Sequence, residues 1–431
     1  MTQDSAAGAQ GQPQTQISGD VGILAGLKVI DAASFLAGPC ATTIMGDYGA
    51  DVIKVEPLTG DRQRTISGGH HIDHSWQLTG RNKRSIALNI ASDQGRDVLL
   101  RMLEDTDVIV FNFRADQLRK YGLTFDELAA VNPRLIVGQI SGYGLQGDDA
   151  NKPAFDLTGW FARTGILDMM HNKDALPPPP AGGVGDHATA MALFGGIMLA
   201  LKKREQTGAG SFVSTSLAAC GTWANGLALQ AAMTGVDHAA RRDDEGWSNP
   251  FTNVYATKDK RNIVLAVQNM KRDWPVLANA LGKPEWLEDD RFQGVRRVFK
   301  NRHAAKTMIS DAFAAMSLAE IQAALTSAGI VHAAVQRNSE VIEDPQLIAN
   351  GVIVATDSTE PGYDRALATP VSISGSPQRI PGRAPEIGAH TRALLLEHGY
   401  REEQIDALLG AAIAGGETDK AGGEMGKGDG K

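Results

Sequence analysis

The sequence predicts an α/β protein in which a large Rossmann-like domain of βαβ units is joined to a smaller α+β domain. Short apolar strands alternate with helix-length segments in the first half of the chain, which is typical of a parallel sheet covered by helices. A charged, glycine-containing loop follows these units, and a strand-rich stretch lies beyond it. With 431 residues and 42% hydrophobic content, the chain is long enough and apolar enough for two or three domains.

The first βαβ unit occupies residues 27–57. Residues 27–31 predict a buried strand, a glycine-proline turn leads into an apolar helix at 40–48, and a second strand at 51–57 ends at proline. The right-handed crossover makes such strands parallel. The turn after the first strand lacks the G-x-G-x-x-G fingerprint, so no nicotinamide or flavin cofactor is expected. Further elements of this kind are strands at 85–89, 108–110 and 135–138, and a helix at 92–105 capped by Ser92.

The later segments define the expected domain boundaries. Helices are predicted at 189–207 and 216–234, and alternating apolar residues at 254–257 and 263–267 predict a hairpin. Glycine and charged residues dominate the end of the sequence, as in a disordered tail. The predicted division is a disordered arm over 1–22, the first part of the large domain over 23–225, a linker or loop over 226–250, the small α+β domain over 251–335, a segment returning to the large domain over 336–412, and a disordered tail over 413–431.

Composition argues against several classes of protein. The net charge of −8 argues against a nucleic-acid binder. No uncharged apolar run approaches the roughly 20 residues of a membrane span, and the amino-terminal residues lack the features of a signal peptide. Cys40 and Cys220 have no partner at metal-ligand spacing, so we expect buried thiols. The sequence therefore predicts a cytoplasmic protein with no metal site that binds neither membrane nor nucleic acid.

Asp186 is the most informative single residue. It lies in a run of small residues at 181–186, after four prolines and before an apolar stretch at 191–201 that predicts a buried helix. We therefore expect Asp186 at the amino-terminal mouth of a helix, near its positive end. Aspartate is also a favoured helix cap, and spacing alone favours that capping role over a catalytic one.

Seven short segments in a fixed order resemble one family across roughly residues 24–409. They are GP at 38–39, GADVIKVE at 49–56, NKRSI at 82–86, NFR at 112–114, NPRLI at 132–136, GD at 185–186 and TGAG at 207–210. On these residues the chain resembles the class III CoA-transferases, also called the CaiB/BaiF family. The resemblance implies an interlocked homodimer, acyl-CoA and carboxylic acid as substrates, and no tightly bound cofactor.

By the same resemblance, Asp186 aligns with the catalytic aspartate of the family. A carboxylate can attack a thioester carbonyl, expel CoA thiolate and form a mixed anhydride. The backbone N–H groups of Gly183 and Gly185 could hold the oxyanion, or these glycines serve the turn alone, and His187 could hold Asp186 or the acyl oxygen. The residues that the resemblance assigns to CoA, with the two lysines suited to its phosphates, are Phe35, Leu36, Ala37, Leu88, Ile90, Asn112, Phe113, Lys120, Tyr121, Lys152 and Leu217.

Departures from the family pattern restrict the reactions that are expected of this chain. Phe155 precedes Asp156 where the racemases of this superfamily carry histidine, and because phenylalanine cannot accept a proton, racemisation is disfavoured. Leu36 replaces a glutamine of the formyl-CoA enzyme, which favours a larger and more apolar acid. Pro57 and Ala91 stand where that enzyme has an arginine and a lysine at its phosphate site.

The segment 153–165 and the Gly-Asp-His that follows resemble the branch acting on aryl or branched 2-hydroxy acids, the phenyllactate and 2-hydroxyisocaproate CoA-transferases. Trp160 is equally compatible with a core position, and Asp156 with a structural pairing to Arg163. An acyl-CoA racemase or isomerase and an inactive CoA-binding subunit of a heteromer are the alternative functions. The acyl pocket implied by the resemblance consists of Phe155, Asp156, Trp160 and Trp247.

Overall fold

The computed structural model describes residues 22–171, 175–236, 249–267 and 269–416. All but the last residue of the expected arm over 1–22 lies outside these ranges, as do Trp247 and residues 417–431 of the expected tail. The strands are β1 Lys28–Asp31, β2 Asp51–Glu56, β3 Lys83–Leu88, β4 Val108–Phe111, β5 Ile136–Ser141, β6 Ser211–Ser216, β7 Thr252–Ala256, β8 Asn262–Ala266, β9 His332–Ala334, β10 Ile353–Ala355, β11 Arg365–Leu367 and β12 Ala414–Gly415. The helices are α1 Ala37–Asp47, α2 His74–Gly80, α3 Asp93–Leu103, α4 Ala115–Tyr121, α5 Phe125–Val131, α6 Val184–Thr207, α7 Leu217–Ala224, α8 Gly226–Met233, α9 Met270–Ala280, α10 Val295–Lys300, α11 Arg302–Ala314, α12 Leu318–Ser327, α13 Asn338–Val341, α14 Pro345–Ala349, α15 Thr391–Glu397 and α16 Glu402–Gly410.

In the described part of the chain, seven strands form one sheet in the order β12-β3-β2-β1-β4-β5-β6. The six longer strands are parallel, and β12 pairs antiparallel with β3. The order 3-2-1-4-5-6 is that of doubly wound Rossmann-like sheets, which bind ligands at the carboxyl ends of their strands. The predicted Rossmann-like arrangement of βαβ units is confirmed.

Alternation along the strands builds a separate core on each face of this sheet. Ile30 of β1 and Ile109 of β4 belong to a buried cluster that includes residues of α3. Val29 and Val108, their neighbours in sequence, belong to a second buried cluster that includes residues of α1 and α6. Because both faces are covered, β1 to β5 each contain a run of apolar residues, which is why the sequence predicted them, whereas β6, which contains three serines and a threonine, was not predicted.

The helices predicted at 189–207 and 216–234 differ from the structure for identifiable reasons. The helix predicted at 189–207 begins five residues earlier, because Gly183 adopts a φ of 91° and serves as its N-cap. The helix predicted at 216–234 is interrupted at Asn225, whose side chain donates a hydrogen bond to the Thr164 carbonyl at 2.9 Å. Hydrophobic periodicity predicts neither the earlier start of α6 nor the interruption at Asn225, because both depend on backbone conformation or tertiary contacts.

The described residues divide into two compact units. The first combines residues 22–168, 178–229 and 345–416 and contains the parallel sheet. The second combines the described parts of 169–177 and 230–344, where β7, β8 and β9 form an antiparallel sheet. Its own buried cluster includes Trp274, whose ring stacks on that of Trp286 at a centroid distance of 5.6 Å.

Helix α6 is the longest helix of the described residues and is apolar enough, by length and composition, to cross a membrane. Its residues Leu193 and Ile197 are fully buried in the core of the first unit, and α1 packs beside it. The core helix of a globular domain has the same composition, so this helix carries no independent argument for a membrane.

Candidate active site

The first turn of α6 carries Asp186. Gly183 is the N-cap of the helix, so Asp186 is the third helical residue and lies at the positive end of the helix dipole. Its carboxylate makes no cap hydrogen bond, and it has no hydrogen-bond partner among the residues that the structure describes. The interpretation of Asp186 as an ordinary helix cap is therefore wrong, although the expected position at the helix mouth is confirmed.

Burial and a neighbouring charge raise the pKa of Asp186. Partial desolvation is the larger cause, the negative charge of Asp156 is the second, and together they raise the pKa to about 6. A helix amino terminus favours an ionised aspartate by about 0.3 to 1 kcal/mol, so here it is outweighed. The site thus holds a half-buried carboxylate that is more basic than an ordinary aspartate and makes no hydrogen bond within the described chain.

Asp156 lies beside this turn and is almost completely buried. One of its oxygens accepts a hydrogen bond from the backbone N–H of Leu157 at 2.7 Å, and the other accepts from the N–H of Gly183 at 2.6 Å. Arg163, the partner considered from the sequence, instead donates to Asp149 at 2.8 Å. The N–H of Gly183 is therefore engaged by Asp156, whereas that of Gly185, the second residue of α6, donates to no backbone carbonyl of the described residues.

Both glycines before Asp186 are required by their surroundings. At Gly183, the φ of 91° is combined with a close approach, since an added Cβ would lie 2.7 Å from Leu36 Cδ2. At Gly185, an added Cβ would lie 2.6 Å from the indole ring of Trp160. The indole of Trp160 is buried against the first turn of α6 and therefore supports this turn. It also contacts the ring of Phe161 edge to face.

Cys40 and His187 form a polar contact at the same place. The Cys40 thiol, buried in α1, lies 3.6 Å from Nδ1 of His187. Burial raises the pKa of the Cys40 thiol to about 12, so this thiol is protonated at neutral pH. Burial also lowers the pKa of His187, which favours the neutral imidazole. The sequence assigned Cys40 no role beyond that of a buried thiol.

The turn between β1 and α1 contains Phe35, which adopts a φ of 64°, a strained conformation for a residue with a side chain. Three side chains hold this turn in place. Asn112 both donates to and accepts from the backbone of Ser34, at 2.8 and 2.9 Å. Asp61 accepts from the N–H of Phe35 at 3.1 Å, and Lys54 donates to the carbonyl of Ala33. The amide of Asn112, assigned to CoA by resemblance, is thus engaged by the protein backbone.

A buried network of charges underlies the same turn. Lys54 of β2 lies 2.9 Å from Asp61, and Lys83 of β3 lies 2.8 Å from Asp31, with all four side chains at most 1% exposed. Neighbouring lysines lower the pKa of Asp31 despite its burial. This network was not predicted from the sequence. A lysine in the middle of an apolar strand, as at Lys54, was the available signal.

The ring of Phe35 contacts that of Phe155 edge to face, with centroids 5.6 Å apart. Phe155 is 61% exposed, so an aromatic surface faces outward beside the Asp186 turn. Leu36 lies close to Gly183, as described above, and Ala37 begins α1. The structure therefore brings together the residues expected at the thioester end and most of those expected in the acyl pocket.

A cavity of about 370 Å³ lies at the carboxyl ends of β2, β3 and β4, the edge where Rossmann-like sheets bind ligands. Every lining side chain is uncharged, which suits an adenine ring better than a phosphate. Pro57 and Ala91, the two departures at the family's phosphate site, are among them. The lining residues are Pro57, Leu58, Thr59, Leu88, Asn89, Ile90, Ala91, Phe113 and Tyr121.

The remaining residues expected to bind CoA do not line this cavity. Lys120 is exposed, with its ammonium 5.8 Å from the centre of the Tyr121 ring. Lys152 is exposed and pairs with Asp149 at 3.7 Å. Leu217 is buried against Gly159. In the described ranges, no cluster of three or more His, Cys, Asp or Glu side chains is arranged to hold a metal ion.

Comparisons with known proteins agree with a CoA-dependent class. The family model of "CoA-transferase family III" matches residues 24–391. The chain is 30% identical over 390 residues to (R)-2-hydroxy-4-methylpentanoate CoA-transferase of Clostridioides difficile, covering 89% of this chain and 97% of the relative. It is also 30% identical over 397 residues to cinnamoyl-CoA:phenyllactate CoA-transferase of Clostridium sporogenes, covering 90% and 96%.

Among solved structures, a CaiB/BaiF family protein from Brucella suis matches with a TM-score of 0.78 and 27% identity, covering 88% of this chain and 99% of that one. The fold, the site and these relatives define an enzyme that acts on CoA thioesters. The chain belongs to CoA-transferase family III, the CaiB/BaiF family, and is a class III CoA-transferase.

Proposed function

We propose that this enzyme moves CoA from an acyl-CoA thioester to a free carboxylic acid, with Asp186 as the nucleophile. The observation that carries the proposal is the state of Asp186: half-buried, at a helix amino terminus, without a hydrogen-bond partner in the described chain, and with a pKa raised to about 6. Such a carboxylate is ionised at neutral pH and is a stronger base than an exposed aspartate, so it is suited to attack a carbonyl carbon.

In the proposed mechanism, an oxygen of Asp186 attacks the thioester carbonyl, the carbon–sulfur bond breaks, and CoA thiolate leaves with the electron pair. The product is a mixed anhydride of Asp186 and the acyl group. An incoming carboxylate attacks the acyl carbonyl of this anhydride, the bond from that carbonyl to the Asp186 oxygen breaks, and an anhydride of the two acids forms as the Asp186 carboxylate is regenerated. The retained CoA thiolate then attacks the carbonyl of the new acid, and the first acid leaves as its carboxylate. The N–H of Gly185, which makes no backbone hydrogen bond within the described part of the chain, is a candidate donor to the oxyanion. Asp186 is regenerated, and one carboxylate is released for each acceptor carboxylate that is consumed, so the transfer takes up and releases no net proton.

We propose an aryl, branched or 2-hydroxy acid as the acyl group. Phe35 and Phe155 present an apolar aromatic surface beside Asp186, and Leu36 adds an aliphatic side chain at Gly183. Relatives that act on 2-hydroxy-4-methylpentanoate and phenyllactate support the same class of acid. The uncharged cavity lined by Ile90 and Tyr121 is proposed to take the adenine of CoA. By family resemblance, we further propose that the enzyme acts as a cytoplasmic homodimer.

The experiment is the variant Asp186→Ala, assayed with a panel of acyl-CoA donors and carboxylate acceptors by mass spectrometry of the thioesters formed. We expect transfer to be lost while acyl-CoA still binds, and hydroxylamine to trap a hydroxamate at Asp186 of the wild-type enzyme during turnover. Asp149→Ala, which alters a partly exposed carboxylate of the same unit, is the matched control and should keep full activity. Retained transfer in Asp186→Ala would refute the proposal.

The same assay addresses the alternative functions. A racemase or isomerase would exchange the α-proton of an acyl-CoA with deuterated water when no acceptor acid is present. Phe155, in the position where racemases carry histidine, has no group that accepts a proton. An inactive subunit would show no transfer as a purified chain and would gain activity when a second family member is added.

A further inference from the structure

Asp156 connects the beginnings of two helical segments. Its carboxylate accepts one hydrogen bond from the N–H of Leu157, which begins the π-helical turn Leu157–Ala162, and one from the N–H of Gly183, the N-cap of α6. With 6% exposure, this carboxylate is shielded from water, so both hydrogen bonds are difficult to replace. π-Helical turns are rare and are found frequently at functional sites.

The position of Gly183 determines that of Asp186. Gly183 lies three residues before Asp186, and its carbonyl accepts the first hydrogen bond of α6, from the N–H of His187 at 3.0 Å. The π-helical turn also contacts the first turn of α6 a second time, because Trp160 packs against Gly185. Two independent contacts therefore join the π-helical turn to the segment that carries Asp186.

We infer that Asp156 is a positioning residue that holds the first turn of α6 against the π-helical turn and thereby fixes the direction of the Asp186 carboxylate. This inference rests on the proposed role of Asp186 as nucleophile. It differs from the family-based expectation that Asp156 lines the acyl pocket, since both oxygens of its carboxylate are engaged by backbone N–H groups. Displacing a reacting group by about 1 Å costs up to about 10²-fold in rate.

The charge of Asp156 has a second effect at the same place. Of the ionisable groups around Asp186, the Cys40 thiol is protonated at neutral pH, and the pKa of His187 is lowered by burial and by the positive charge of Arg81. Asp156 is the charge that acts on Asp186, and it raises the pKa of Asp186 further than burial does alone. Removing this charge therefore lowers the pKa of Asp186.

The test compares Asp156→Ala, which removes the hydrogen-bond acceptor and the charge, with Asp156→Asn, which keeps one acceptor oxygen and removes the charge. In the full-length protein, we expect Asp156→Ala to lower kcat about 10²-fold while the KM for acyl-CoA changes less than about threefold. Asp156→Asn should restore most of kcat, and the acid limb of its kcat profile should move to lower pH. Asp149→Ala is the control, with wild-type values expected.

Hydrogen exchange supplies a measurement that does not require transfer. Backbone amides of the first turn of α6 should exchange faster in Asp156→Ala than in the wild type, and not in Asp149→Ala. Wild-type kcat in Asp156→Ala, or exchange that is unchanged there, would overturn the inference. If Asp156→Ala does not fold, an unmoved acid limb in Asp156→Asn would overturn it. A wild-type enzyme without transfer would refute the proposed function instead, and the exchange measurement would still decide this inference.

Discussion

At the scale of single residues, the surroundings of Asp186 oppose the ionisation of its carboxyl group. The helix dipole favours the carboxylate, whereas burial and the charge of Asp156 favour the neutral acid and win, because the pKa is raised to about 6. An ordinary cap would gain a hydrogen bond at this position, and Asp186 has none within the described chain. The strained backbone of Phe35, beside the same site, is a second local cost. Costs of this kind are typical of functional positions.

The raised pKa of Asp186 predicts the pH dependence of transfer. The ionised carboxylate is the nucleophile, so the rate should rise with pH through about 6 and reach a plateau above it. The kcat profile between pH 4.5 and 8, measured in buffers of constant ionic strength, checks this. His187→Gln is the control, since a limb that belongs to Asp186 should persist in that variant. A flat profile across this range would contradict the assignment.

The same shift predicts a pH-dependent change in stability. The folded protein binds the Asp186 proton more tightly than the unfolded chain, so this group stabilises the fold below the unfolded pKa, and that contribution is lost as pH rises through about 6. Asp186→Asn removes the buried charge. We expect this variant to be more stable than the wild type by about 1 to 3 kcal/mol at pH 7, and to gain nothing at pH 4. Thermal unfolding at both pH values measures the difference.

The sequence singled out Asp186 but could not distinguish a capping role from a catalytic one. Spacing placed it correctly at the start of a helix, and spacing alone favoured a cap. The distinction depends on burial, on Asp156, which is 30 positions earlier in the sequence, and on the absence of a cap hydrogen bond in the described chain. Asn112 shows a second limit, because the family resemblance assigns this residue to CoA but does not reveal that its amide holds the backbone of Ser34. Local patterns do not contain such long-range contacts.

At the scale of elements, three glycines at the start of α6 differ in how much space surrounds them. Gly183 combines a positive φ with a close approach to Leu36, and Gly185 packs directly on Trp160. By contrast, an added Cβ at Gly182 would meet nothing within 4 Å. The three positions therefore form an internal series in which the same substitution has different expected outcomes.

We predict that Gly182→Ala keeps wild-type transfer, whereas Gly183→Ala and Gly185→Ala each lose about tenfold or more in kcat, because the turn must shift to relieve the contacts. Circular dichroism should show that all three variants retain the fold. Activity with a common acyl-CoA and acceptor acid is the measurement. Equal loss in all three, or a loss in Gly182→Ala alone, would show that the contacts of Gly183 and Gly185 do not control the site.

The cavity at the carboxyl ends of β2, β3 and β4 allows a test of CoA binding. We predict that Ile90→Trp fills part of this cavity of about 370 Å³ and raises the KM for acyl-CoA about tenfold, with kcat within about threefold of wild type. Leu367→Trp, on the exposed strand β11 of the same unit, is the control for an added indole. An unchanged KM in Ile90→Trp would place the adenine elsewhere.

The sequence predicted elements best where burial on both faces makes the pattern strong. The parallel strands β1 to β5 were found to within three residues at each end, because each contains a run of buried apolar residues. The start of α6 and the break at Asn225 were missed, since the first depends on the φ of Gly183 and the second on a hydrogen bond to Thr164. The buried lysines Lys54 and Lys83 were also passed over, although charge within an apolar strand marks a buried ion pair.

At the scale of the whole molecule, the two compact units have separate cores, and their main sheets differ in type. The first contains the parallel sheet, Asp186 and the uncharged cavity. The second has an antiparallel sheet and a cluster of aromatic side chains around Trp274. All the residues proposed for catalysis and CoA binding that the structure describes lie in the first unit. The domain boundaries drawn from the sequence remain predictions.

This separation predicts that the fragment 249–344, which contains β7 to β9 and the cluster around Trp274, folds without the rest of the chain. We expect one cooperative thermal transition and a near-ultraviolet circular dichroism signal from its packed tryptophans. Trp274→Ala should destabilise this fragment by about 3 to 5 kcal/mol, because it leaves a cavity against Trp286 and Phe292. Isothermal titration with acyl-CoA should give no binding, since the proposed site lies in the first unit. A fragment that unfolds without cooperativity, or one that binds acyl-CoA, would contradict a division of labour in which the second unit folds independently and the first carries the chemistry.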